Sequence, residues 1–178
     1  MEFNVCIGSW GAYNSANEKS LGSEFIDFAQ YDSWEEIEEE LRKQGFDLEG
    51  EDEELFIQDF DFKMPSGLSG DYTHPKFLYD TLKNSGVLHN EHLYKEMMAY
   101  CEAESWDEFQ DLVKEKGEEW TNDIIFYEDA DGADYAREQI MEWLPKEYFN
   151  SLDSYLDYDK YFNEGDAHET SYGVIEIL

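Results

Sequence analysis

The sequence predicts an α+β protein built from three small units in an elongated arrangement. Three observations predict it. Strand-like apolar runs dominate residues 1–64, helical periodicity dominates 65–118, and both recur in 119–178. A stretch carrying Pro65, Gly67 and Gly70 separates the first unit from the second. Aromatic residues make up 17% of the 178 positions, enough apolar surface for a packed core.

The elements follow in order. Residues 3–8 (FNVCIG) form a short apolar run that suits a buried strand. Residues 11–20, rich in Asn, Ser and Ala, read as a loop, and 21–28 (LGSEFIDF) as a second strand. Ser33 starts a helix with Glu36 as its capping-box partner. Trp34, Ile37 and Leu41 line its apolar face, and Gly45 ends it. Residues 56–62 (FIQDFDF) suit a third strand, and 63–72 is the candidate linker.

The middle unit reads as helical. Residues 75–83 carry Phe77, Leu78 and Leu82, and 91–102 carry Leu93, Met97, Met98 and Cys101. Ser105 opens another helix with Glu108 as its capping partner and Trp106, Phe109, Leu112 and Val113 as its core face. In the last unit, 123–127 (DIIFY) suits a buried strand and 133–144 a helix broken by Pro145. The Tyr-rich segment 152–162 reads as a helix and 171–178 (SYGVIEIL) as a closing strand.

Charge is the outstanding feature. Forty-five acidic residues face 12 basic ones, for a net charge of −33. A small domain needs a net charge of only about 2 to 8 for solubility, and a larger one opposes compaction. The excess is not a tail: the three segments carry −14, −6 and −13. Glu35, Glu36, Glu38, Glu39 and Glu40 crowd one helix, where like charges three and four apart repel. Glu49, Glu51, Asp52, Glu53 and Glu54 form a second cluster. B-DNA carries about two charges per base pair, so an excess of this size corresponds to about 16 base pairs of phosphate. The composition therefore points to a folded, non-enzymatic decoy for a basic DNA-binding site. Such a surface repels nucleic acid and anionic lipid, so direct binding to either is not expected.

Other chemistry finds little support. Cys6 and Cys101 read as reduced thiols of a cytoplasmic protein, and neither a signal peptide nor a membrane span is evident. The run Asp129, Asp131, Asp134 and Glu138 approaches a calcium loop but has Tyr127 at the first ligand position. It reads instead as an acidic turn capping the next helix. His89 and His92 lack zinc partners at the required spacing and read, like His74 and His168, as surface histidines. No phosphate loop, nucleophile elbow or Cys–His arrangement is visible, so no catalytic residue, metal or cofactor is expected.

Several segments together carry a family resemblance. They are Val5-Cys-Ile-Gly8, Gly11-Ala-Tyr13-Asn14, Gly22 to Asp27 and Glu53 to Asp59 in the first unit. In the last unit they are Asp123-Ile-Ile-Phe126, Asp129 to Arg137, Leu156 to Tyr161 and Tyr172 to Glu176. In order and spacing the chain resembles the ArdA antirestriction proteins of mobile elements. The middle, about 65–118, matches least. The resemblance implies three small domains in a curved row, and a homodimer formed through the C-terminal domain that is shaped like bent DNA. It also implies binding to the specificity and methyltransferase subunits of type I restriction–modification enzymes, without catalysis or cofactor. On this reading Glu35, Glu36, Glu39, Glu49, Asp52, Glu53, Asp129, Asp131 and Asp134 face the partner. Three other classes remain open: an acidic inhibitor or chaperone of another basic DNA-binding protein, a halophilic protein, and a hydrolase with paired carboxylates.

Overall fold

A computed structural model describes residues 1–16, 18–65, 67–68 and 73–178. Half of the candidate linker, residues 66 and 69–72, lies outside the described residues. The chain is a mixed α+β protein with two small antiparallel sheets.

In the first sheet β1 (Asn4–Ser9) lies centrally, between β2 (Ile26–Asp27) and β3 (Leu55–Phe60). The expected loop after β1 is partly helical. Ser9 accepts the amide of Ala12 and caps α1 (Trp10–Ser15), and a 3-10 turn follows over Glu18–Leu21. Gly11 is obligatory here, because an added Cβ would sit 1.7 Å from the Glu51 carbonyl oxygen. The expected strand over 21–28 shrinks to two residues. Gly22 adopts φ +82 against Cys6 and Gln58, and Asp27 turns the chain by accepting the Ala29 amide.

Helix α2 (Trp34–Lys43) forms as its sequence directs. Ser33 accepts the Glu36 amide, and Trp34, Ile37 and Leu41 are buried. The reciprocal half of the capping box falls one residue early: the Glu36 carboxylate takes the amide of Asp32 at 2.8 Å. Gly45 follows at φ +89.

Three helices form the middle. They are α3 (Pro75–Asn84), α4 (Glu91–Ala103) and α5 (Trp106–Lys116), capped by His74, Asn90 and Ser105. The Ser105 hydroxyl accepts the Glu108 amide, and Trp106, Phe109 and Val113 are buried while Leu112 is half-buried. Burial pushes the Cys101 thiol up to about 12, and both cysteines are free and buried.

The second sheet has the order β4-β6-β5, with β4 (Ile124–Glu128), β5 (His168–Thr170) and β6 (Gly173–Ile177). The expected buried strand is an edge strand: of β4 only Ile124 is buried, and Ile125 is exposed. Between β4 and β5 lie α6 (Gly132–Trp143), α7 (Lys146–Leu152) and α8 (Tyr158–Asn163). The expected helix over 152–162 is broken. A 3-10 turn covers Asp153–Tyr155, Leu156 is extended, and Asp157 caps α8. Sequence reading missed α7 and β5.

Buried residues of the first sheet, of α2 to α5 and of the second sheet form one continuous cluster from Phe3 to Ile175, while Tyr135, Ala136, Ile140 and Phe149 of α6 and α7 are buried outside it. Tyr79 of α3 packs on Phe28 and Trp34, and its hydroxyl donates to the Tyr31 carbonyl at 2.9 Å. Tyr94 of α4 packs edge-on to Phe3. Trp120 meets Phe109 and donates to the Ser85 carbonyl at 2.9 Å.

Candidate partner-binding surface

The surface chemistry is a matter of which carboxylates the fold sends outward. On α2 the apolar triad faces the core, so Glu35, Glu36 and Glu39 are exposed. Glu35 and Glu39 stand one turn apart, a rise of about 6 Å. The Glu35 carboxyl lies below the usual carboxylate range, held there first by its own backbone amide. Glu36 has a second duty as the cap described above. Glu49 and Glu53 are exposed on the turn between α2 and β3.

Asp52 does not belong with them. It is 1% exposed and ties that turn together from inside. Its Oδ2 accepts the Asp47 amide at 2.8 Å and pairs with Lys19 at 3.1 Å. Burial alone would raise its pKa, but the Asp47 amide, the Ser9 hydroxyl and Lys19 together hold it below the usual range. A carboxylate committed in this way presents no charge to a partner.

Asp129, Asp131 and Asp134 are exposed together between β4 and the first turn of α6. Asp129 has φ +59, a conformation open to Asp, and its amide donates to the Tyr172 carbonyl at 3.0 Å. Asp131 caps α6 by accepting the Asp134 amide at 2.8 Å. The segment is thus an acidic helix cap, as its spacing suggests. Among the described residues no three His, Cys, Asp or Glu side chains converge on a metal position.

Two rows of carboxylates were not read as rows from the sequence, although Asp134 was placed on the partner-facing surface. Asp107, Asp111 and Glu115 are exposed at four-residue intervals along α5. Asp134, Glu138 and Glu142 repeat the pattern along α6. Residues four apart on a helix share a face, so each set forms a line with a step of about 6 Å. The signal was present as an i, i+4, i+8 recurrence of acids on the polar face, but segment charges averaged it away.

The histidines are not equivalent surface groups. His89 and His92 are exposed, and His92 Nδ1 lies 2.7 Å from Glu128. His74 is half-buried, and its Nδ1 accepts the Lys76 amide at 3.2 Å. Burial, and then the charge of Lys76, lower its pKa.

The fold and this surface define an acidic α+β protein that displays carboxylates in rows on capped helices. The chain matches the family model "Antirestriction protein (ArdA)" over residues 5–176, and it belongs to that family. The family is one of inhibitors directed at restriction–modification, and antirestriction is the function it implies. No curated protein matches the chain. Among the described residues no helix is long and apolar enough to cross a membrane.

Proposed function

We propose that this protein is a DNA mimic that occupies the DNA-binding site of type I restriction–modification enzymes, contacting their specificity and methyltransferase subunits. The observation that carries the reading is the set of carboxylates on α2, α5 and α6, three helices drawn from the segments 1–64, 65–118 and 119–178. Carboxylates held in place before binding limit the ordering cost of association. Opposed to a basic cleft, they supply charge complementarity and accelerate encounter. Glu35, Glu36, Glu39, Glu49, Glu53, Asp129, Asp131 and Asp134, joined by Asp107, Asp111, Glu115, Glu138 and Glu142, form the mimic surface. Asp52 does not. No catalytic group or cofactor is assigned, and the site of action is the cytoplasm, where these enzymes meet incoming DNA.

The protein acts as a homodimer through segment 119–178. Met141, Trp143, Tyr148, Leu152 and Tyr155 are exposed near the end of α6, on α7 and on the turn after it. A run of exposed large apolar side chains supports an interface there. A competition titration tests the proposal. A type I methyltransferase core is bound to labelled duplex DNA, and the protein is added at physiological salt beside a folded acidic control. Displacement near stoichiometry that the control does not reproduce is the expected result. Absence of displacement across several type I enzymes overturns the reading.

A further inference from the structure

We infer that Lys63, Lys83 and Lys95 are positioning residues: they hold the acid-bearing helices at fixed separations and are needed for partner binding, although they subtract from the negative charge. The inference rests on the DNA-mimic reading above.

Among the described residues, several of the 12 bases pair along their own helix. Arg42 pairs with Glu38, Lys43 with Glu40, Lys76 with Asp80, Lys114 with Asp111 and Lys160 with Glu164, each three or four residues away. Lys63, Lys83 and Lys95 do something different: each joins elements distant in sequence, and Lys63 and Lys83 each have a second contact that fixes their direction.

Lys63, just past β3, pairs with Glu102 of α4 at 3.6 Å and lies 4.6 Å from the Tyr172 ring centroid, in the β5–β6 turn. Its carbonyl accepts the Tyr94 hydroxyl at 2.6 Å, and the same Glu102 takes the Ser171 amide at 2.7 Å. One lysine thus gathers the end of the first sheet, α4 and the second sheet. Lys95 of α4 pairs with Glu128 of β4, which also receives His92. Glu128 stands next to Asp129, where the acidic cap of α6 begins. Lys83, at the end of α3, donates to the Asp32 carbonyl just before α2 and lies 5.7 Å from the Tyr79 ring centroid. The contacts form two links: Lys83 ties α3 to the segment before α2, and Lys63 and Lys95 tie α4 to the end of β3 and to the second sheet beside the cap of α6.

Exposed ion pairs add little to stability. Their geometric effect is separate: a protein that imitates DNA must hold its charges at set distances while those charges repel one another. Cations placed between the acidic elements oppose that repulsion where it would spread the molecule. Charge counting and positioning therefore predict opposite signs. Replacing three lysines by Gln makes the protein three units more negative, which on charge alone improves a decoy for a basic site. If the lysines are struts, it makes a worse one.

The test uses the triple variant Lys63→Gln, Lys83→Gln, Lys95→Gln and the matching triple Lys→Arg. Spin labels are placed at Gln30→Cys and Asn163→Cys, both exposed and outside the carboxylate rows and the proposed dimer face, in protein diluted with unlabelled parent so that only distances within one protomer are read, while Cys6 and Cys101 are buried. Pulsed electron paramagnetic resonance then reads the distance distribution across the molecule, and the DNA-displacement titration reads binding. The expected result is a broadened distribution and about a tenfold higher concentration for half-displacement in the Gln triple, both restored by Arg. An unchanged distribution overturns the inference. So does a broadened one with displacement as good as or better than the parent. If the triple does not melt cooperatively, Lys95→Gln alone is judged by the same two criteria. If the parent itself fails to displace DNA, the mimic reading falls, and the distance distribution alone decides the role of the lysines.

Discussion

Glu96 is 5% exposed on α4, and burial pushes its carboxyl up to about 6, with the charge of His92 acting against the shift. A pKa raised above the unfolded value means stability that is fully present below about 4.5 and lost as pH rises through 6. Moving a carboxyl from about 4.5 to about 6 is worth about 2 kcal/mol. Glu96→Gln keeps the shape and removes the titration. Its advantage over the parent in urea denaturation should therefore grow by about 2 kcal/mol between pH 4.5 and pH 7.5. An equal difference at both pH values would show that Glu96 does not titrate in this range. Asp52 works in the other direction, since its lowered pKa gives stability that disappears on acidification. The comparison of the Glu96 variant with its parent cancels that background. Neither residue's position could be read from the sequence. Asp52 sits among five acids between positions 49 and 54, and its partners, Asp47 apart, are the distant Ser9 and Lys19. Only the tertiary turn distinguishes it from its exposed neighbours Glu51 and Glu53.

Among elements, those with local start signals were legible. Ser33 and Ser105 each cap the helix their sequence announces, with buried residues at the expected positions. Elements fixed by distant contacts were not. The six-residue α1 depends on the close approach of Gly11 to Glu51, and the three-residue β5 exists through pairing with β6. The acidic row of α5 was hidden for another reason. Lys114 and Lys116 offset the acids in a segment count, although a helix presents its faces separately. The row makes a prediction with two readouts. Asp107, Asp111 and Glu115 repel at four-residue spacing, by a few tenths of a kcal/mol per pair. Converting all three to their amides should leave thermal stability about equal, the relieved repulsion offset by the lost Asp111–Lys114 pair and by the lost charge of Asp107 in the first turn of α5. The same variant should displace DNA from a methyltransferase core less well, by about three- to tenfold. Lower binding with lower stability would mean the row serves the fold. Unchanged binding would remove α5 from the proposed mimic surface.

For the whole molecule, what counts is how the charge is shared. DNA offers a basic cleft many equivalent phosphates, none decisive, and affinity falls steeply with salt as a result. A protein that replaces it with exposed carboxylates on several helices inherits both properties. Rim charges act mainly through encounter rate, and each is worth a fraction of a kcal/mol. Glu39→Gln, Asp111→Asn or Glu138→Gln alone should therefore change the dissociation constant by less than about threefold. Sites well separated and sharing no partner add. Two substitutions on each of α2, α5 and α6, six in all, should then cost about a hundredfold, mostly in association rate, and should flatten the salt dependence. Stopped-flow association measured across a salt series separates the rate from the affinity. If any single amide substitution abolished displacement while the melting temperature held, binding would rest on one specific contact, and the distributed-charge account of this surface would fail.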